Sequence, residues 1–324
     1  MHEHIARTMY YFSIHLVYAS AVGAAALALT SIRGASATTK YWIWVATAFN
    51  FILPVGALID KLWASQLTWA TPLGAIGSPI WDMTQGRTAV ALAVIWIAGG
   101  VAMLIRLISR LRREGREAQV ADSLSVKDAA PGFITDGIPV SFDTRHPAPA
   151  VGGVFYPCIL LPIGIDRLLN QREFDAVLLH ELVHARRRDN LIRVVYELSS
   201  CILWFHPLVW ITGRRLALYR ELSCDEAVID SAQGEDLVSA LAKLASPENE
   251  LLLQATATSF ISHRLAGLTA TLPQPRRRAA NALLAAVFVL AFSSSVFGTI
   301  AHTACCFVKK AAAKSATCTA SARR

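Results

Sequence analysis

His180 and His184 stand four residues apart in the stretch LLHELVHARRRDN, with Glu181 directly after the first. On a helix, residues at this spacing point to one side. Two imidazole nitrogens can then face one metal ion, with the glutamate beside a water that the ion holds. The chemistry is hydrolysis, in which the ion acidifies water and the carboxylate takes its proton. H-E-x-x-H alone is a modest signal, since it arises by chance in roughly 4% of chains of this length. It gains weight from its place in FDAVLLHELVHARRR, whose apolar residues share one helical face.

A catalytic zinc takes three protein ligands and keeps one position open for water. The downstream candidates are Asp189, His206, Glu221, Asp225 and Glu226. Asp189 is too near in sequence to fold back onto the same ion, and with Asn190 it suits capping of the next helix. His206 precedes Pro207 at a helix break, where packing or capping is expected. The stretch YRELSCDEAVID is the better source. Glu221 and Asp225 are four apart on one face, so Glu221 can ligate while Asp225 hydrogen-bonds a ligand histidine. Glu226 points elsewhere and is expected to be structural.

The elements that must hold these residues are legible in outline. Residues 132–162 are rich in Gly, Pro, Val and Ile, with turn signals at Asp136-Gly137 and Gly152-Gly153, and predict short strands. A strand edge within 151–161 could pair with an extended peptide. From Gln171 the chain reads as helical to about 189, then over 191–204, and after His206-Pro207 to about 229. Residues 114–130 are polar and read as a linker or an exposed helix. Cys158, Cys201 and Cys224 are isolated and read as small buried hydrophobes. Cys305, Cys306 and Cys318 lie near the C-terminus and matter only in an oxidising compartment.

The whole chain is too apolar for that domain alone. Of its 324 residues, 54% are hydrophobic and 17% charged, against about a quarter charged in soluble domains. Four segments approach the roughly 20 apolar residues that cross a bilayer: 10–32, 41–59, 88–105 and 279–301. The third holds Gly99-Gly100, a pair suited to close helix contact. A cleaved signal peptide is not expected, because the first apolar stretch exceeds the usual signal core of about 7–15 residues. Arg106, Arg110, Arg112, Arg113 and Arg116 follow the third span, and Arg276, Arg277 and Arg278 precede the fourth. Both clusters border the large central region, which the positive-inside rule assigns to the cytoplasm. The N-terminus and the C-terminal tail are then outside, although the tail's Lys309, Lys310, Lys314, Arg323 and Arg324 run against the rule. The loop 60–87 carries Trp63, Trp69 and Trp81, which suit the bilayer interface. The formal charge of +8 thus orients the chain in a membrane, and no direct nucleic-acid binding is expected.

HELVHARRRDN, WFHPLVW (Trp204 to Trp210), RELSCDEAVI (Arg220 to Ile229) and PCILLP (Pro157 to Pro162) together resemble the BlaR/MecR family of membrane metallopeptidases. The resemblance covers most of the chain. It implies a gluzincin-like zinc peptidase with His180, His184 and Glu221 as ligands, Glu181 as general base and Asp225 behind the ligands. The expected fold is a multi-span α-helical membrane protein with a cytosolic α+β zinc metallopeptidase domain. Residues 1–114 form the membrane region with three spans, 115–278 the peptidase domain, 279–301 the fourth span and 302–324 a short basic tail. The expected function is a zinc endopeptidase of the bacterial inner membrane, cleaving a cytosolic transcriptional repressor, itself, or both. The alternatives are a non-catalytic signalling scaffold with structural zinc and a housekeeping protease. The family's receptors carry a penicillin-binding sensor after the last span. Here the residues after Ala301 hold no S-x-x-K motif, and β-lactam acylation is not expected.

Overall fold

The structure is a computed structural model that describes residues 2–32, 34–52, 87–122, 137–143, 148–244, 278–290 and 292–293. The tryptophan-bearing loop, the end of the second span, most of the last ten residues of the fourth and the basic tail lie outside the described residues.

Three helices come first: α1 (His2–Thr30), α2 (Ala37–Ile52) and α3 (Arg87–Asp122). Among the described residues one helical stretch, Val90–Gly115 of α3, is long and apolar enough to cross a membrane. Leu92, Val94, Ile95, Ile97, Val101 and Ile105 along it are exposed. That exposure suits a helix solvated by lipid rather than one buried in a protein core. The apolar stretches His15–Thr30 of α1 and Arg278–Leu290, here α9, are shorter. The helix α3 does not stop at the polar sequence after residue 113. It runs on to Asp122, so of the two readings, linker or exposed helix, the helix holds at least that far.

The strands β1 (Val140–Asp143), β2 (Ala150–Gly152) and β3 (Cys158–Pro162) form one sheet in the order β1-β3-β2. β1 runs parallel to β3, while β2 is antiparallel to it, with Val151 opposite Ile159. As the central strand, β3 buries Ile159, Leu160 and Leu161 in succession, the unbroken apolar run expected of a strand covered on both faces. Gly153 turns the hairpin at φ 77°, and a Cβ there would sit 2.1 Å from the Tyr156 carbonyl oxygen. Only glycine meets both demands.

The short helix α4 (Ile165–Leu168) leads into α5 (Gln171–Arg187). Asn170 and Glu173 form a capping box that starts α5. Phe174, Val177, Leu178 and Leu182 pack against Ile159 and Leu161 of the sheet, Val228 of α7 (Pro207–Asp230) and Leu237 of α8 (Gly234–Leu244). Arg188, at φ 56°, reverses the chain between α5 and α6 (Asp189–Ile202). The expected capping role of Asp189 and Asn190 is corrected here. Arg188 holds the cap position without a side-chain bond, and Asp189 is already helical. His206 at the N-cap of α7 makes no side-chain cap either.

The helices α6 and α7 rest directly on α1 and α2. Tyr41, Trp44 and Val45 of α2 form a core with Val22 and Ala26 of α1, Leu216 and Tyr219 of α7, and Leu284 and Phe288 of α9. Glu226 accepts from the Ala37 and Thr38 amides, at 3.2 and 3.0 Å, and from Thr38 Oγ1 at 2.7 Å. A carboxylate there satisfies free donors and the positive end of α2, a structural role as the sequence suggests.

Candidate metal centre

The helix α5 turns His180 and His184 to one side, and α7 crosses it so that Glu221 and Asp225 face the same point. His180 Nε2 and His184 Nε2 are 3.2 Å apart. Glu221 Oε2 lies 3.7 Å from the first and 3.8 Å from the second. Ligands about 2.0–2.1 Å from one tetrahedral ion lie about 3.3–3.4 Å from each other. The triangle therefore fits a single ion, and two imidazoles with a carboxylate is a donor set suited to zinc.

Each of the three candidate donors is held from behind. Asp225 Oδ1 lies 3.1 Å from His180 Nδ1 and Asp189 Oδ2 lies 2.6 Å from His184 Nδ1. An ionised carboxylate only accepts, so these contacts put protons on both Nδ1 atoms and leave both Nε2 lone pairs for an ion. Glu221 Oε1 accepts from Arg220, at 2.9 and 3.1 Å, which leaves Oε2 toward the histidines. Asp189 is itself fixed by Tyr41, whose hydroxyl donates at 2.7 Å, and by a forked pair with Arg187 at 2.6 and 2.7 Å. The Arg187 guanidinium in turn stacks 4.0 Å from the centre of the Tyr41 ring.

Three carboxylates, Asp189, Glu221 and Asp225, crowd the two imidazoles. Burial works against ionised Asp189, but the bonds from His184 and Arg187 hold its carboxyl down at about 2. Burial likewise opposes charge on Glu221 and His184. Their mutual attraction outweighs it, drawing Glu221 well below the usual carboxylate range and His184 well above the usual imidazole range. Cys224 Sγ is 3.4 Å from His184 Nδ1 and makes a second cluster with Asp189. There, however, the Arg187 guanidinium lies 3.2 Å from the sulfur. An ion on that side would face a fixed positive charge, so the Nε2 side is favoured.

The triangle opens onto a cleft of about 470 Å³. Glu181, His184 and Glu221 line one wall and Ala150 to Val154 the other, with Leu111, Glu114 and Gly115 of α3 closing a third side. The Asn190 side-chain amide donates to the Val151 and Gly153 carbonyls at 2.7 and 2.9 Å. It thereby ties the edge strand to the start of α6.

All five residues singled out from the sequence thus meet at one place. Three further groups were not foreseen: Arg187 and Arg220 behind the donor atoms, and Tyr41 from α2; Asp189, weighed as a ligand and set aside as too near in sequence to fold back, does fold back, onto His184 Nδ1. Asp189 reaches His184 because the left-handed turn at Arg188 folds the chain back within five residues.

Residues 12–268 match the family described as BlaR1 peptidase M56. The chain belongs to this metallopeptidase family. Among curated proteins, M56 relatives include the regulatory protein BlaR1 of Bacillus licheniformis, 31% identical over 147 residues. The methicillin resistance mecR1 protein of Staphylococcus aureus is 24% identical over 145 residues. Each alignment takes in 43% of this chain but only 24% and 25% of those proteins, so the chain spans about a quarter of their length.

Proposed function

We propose that this M56 chain is an integral-membrane zinc endopeptidase that acts in regulatory signalling by cutting a cytosolic repressor, its own chain, or both. The reading is carried by one observation, the Nε2–Nε2–Oε2 triangle that opens beside Glu181 onto a cleft walled by a strand edge. His180, His184 and Glu221 hold the ion, while Asp225 and Asp189 orient the two imidazoles. Zinc held there supplies Lewis acidity to a water and to the scissile carbonyl. An extended substrate pairs its backbone with the outer edge of β2 and so lays the carbonyl across the triangle. Glu181 removes a proton from the attacking water as the new C–O bond forms. It then gives that proton to the leaving nitrogen as the C–N bond breaks. The likeness to the regulatory protein BlaR1 supports a regulatory context. The arginine clusters on either side of the central region support a cytoplasmic face for the cleft.

Purified full chain should hold one zinc and cut a peptide library. Glu181→Gln should hold the same zinc and leave the library intact. Equal cutting by both proteins would sink the enzyme reading. Peptides released in cells by the wild type but not by Glu181→Gln would identify the substrate.

A further inference from the structure

Between Glu197 and Arg214 run sixteen residues, LSSCILWFHPLVWITG, without Asp, Glu, Lys or Arg. They are the end of α6, the break at His206-Pro207 and the start of α7. The tip of this hairpin does not face the metal cluster. It lies against the middle of the uncharged stretch 88–105 of α3, where Trp96 Nε1 donates to the Ile202 carbonyl at 2.6 Å and Trp204 Nε1 to the Trp96 carbonyl at 3.2 Å. A Cβ on Gly99 would sit 2.3 Å from the Trp204 ring, and one on Gly100 would sit 3.1 Å from the Cys201 carbonyl oxygen. On the α1 side, His206 Nε2 is 3.0 Å from Ser20 Oγ, and Leu208 closes on Gly23.

Trp96 is ten residues from Arg106, the first charge that follows it in α3. That is roughly 15 Å of helix axis, or half of a hydrocarbon core about 30 Å thick. If α3 spans the bilayer, the hairpin tip stands near its midplane. The charges that bracket the hairpin stand at the other level. Arg110 pairs with Glu197 at 2.6 Å, and Glu114 pairs with Arg193, while Arg214 and Arg215 are exposed on the returning arm.

The hairpin also handles its polar groups as a lipid-embedded segment must, by bonding them internally. The hydroxyls of Ser199, Ser200 and Thr212 donate back to the Tyr196, Glu197 and Leu208 carbonyls of their own helices. At the break, the carbonyls of Ile202 and Trp204 are met by the indoles of Trp96 and Trp210. The Leu203 carbonyl accepts from the His206 amide. His206 Nδ1 is the exception, buried without a partner. The outer surface is apolar, with Leu198, Ile202, Phe205 and Trp210 between 39% and 44% exposed.

We propose that residues 198–213 form a re-entrant hairpin that enters the bilayer from the face bearing the metal cluster and returns to it. Lipid acyl chains cover Leu198, Ile202, Phe205 and Trp210. One arm begins at Asp189 and the other continues to Glu221. The cluster therefore stands on two rods planted in the membrane, just above the charged belt of Arg110, Glu114, Arg193 and Glu197. A substrate must reach it along the membrane surface.

The full chain in liposomes tests this with a spin-labelled unnatural amino acid placed singly at Phe205, Trp210, Ile97 and Tyr156. Ile97 reports the exposed face of α3, and Tyr156, 90% exposed at the β2–β3 turn, reports water. The expected result is that Phe205 and Trp210 match Ile97, open to dissolved oxygen and shielded from a water-soluble nickel chelate. Nickel access at both, as at Tyr156, overturns the proposal. Shielding from both reagents overturns it too, because the cover is then protein, a second copy or another part of the chain. Nickel access at Ile97 removes α3 from the bilayer and the hairpin with it. None of these outcomes touches the peptidase reading, which the Glu181→Gln comparison decides.

Discussion

At the scale of single residues, the proposed function separates groups expected to hold an ion from the group expected to use it. Glu181 lines the cleft beside the triangle but contributes no edge to it. Glu181→Gln should therefore lower kcat by about 10²–10⁴, the usual worth of a general acid–base, with unchanged zinc content by metal analysis. Asp189→Asn is expected to act on affinity instead. It weakens the 2.6 Å contact that fixes His184, and loss of such a partner costs roughly 10–100-fold in metal binding. Competition with a chelator should read that loss, and a similar one for Asp225→Asn through His180. Glu221 and Asp225 were legible in the sequence because helical spacing by itself puts them on one face. Asp189 was not, because its approach depends on a positive φ at Arg188, which no residue pattern there announces.

At the scale of elements, two contacts decide whether the helices assemble as described. Gly99 lets α3 approach the α6–α7 hairpin, and an added Cβ would enter the Trp204 ring. Gly99→Ala should destabilise by about 1–3 kcal/mol, as overpacking does. Gly115→Ala, in the same helix with open space around it, should instead be neutral or stabilising by up to about 1 kcal/mol. Thermal melts in one detergent would rank the two, and the reverse order would refute this packing. The second contact is Glu173, which caps α5 and accepts from Lys243 of α8 and from Ser239, both at 2.6 Å. The Lys243 ammonium is the main reason its carboxyl is held at about 2. A folded-state value below the unfolded one stabilises above the ordinary carboxylate range and is lost as pH falls toward 2. Between pH 5 and 3 the wild type should lose more stability than Glu173→Gln, which lacks that titration, as followed by acid unfolding. The strands and α5 were readable from turn signals and amphipathic spacing. The length of α3 was not, because its polar second half owes its path to ion pairs with Arg193 and Glu197 on a helix some 80 residues away in sequence.

At the scale of the whole molecule, composition and charge carry the most, since apolar runs and flanking arginines are properties of long segments rather than of contacts. They imply spans and a side for the centre. They are silent on how near the membrane the centre stands, because 198–213 is too short and too interrupted to register as a span. Sidedness has its own expectation. Arg106 to Arg116 and Arg276 to Arg278 flank one region, whereas Lys61 and Arg87 are the only basic residues of the loop 60–87. The positive-inside rule then puts residue 120 in the cytoplasm and residue 70 outside. An alkaline phosphatase fusion should be inactive at residue 120 and active at residue 70, and a fluorescent-protein fusion should show the opposite. A re-entrant hairpin leaves this alternation intact, since it enters and leaves by one face. Reporters at residues 190 and 232, at the start of one arm and just past the end of the other, should therefore agree with residue 120. Opposite sides at 190 and 232 would make 198–213 a crossing, and the two halves of the metal triangle could not then meet.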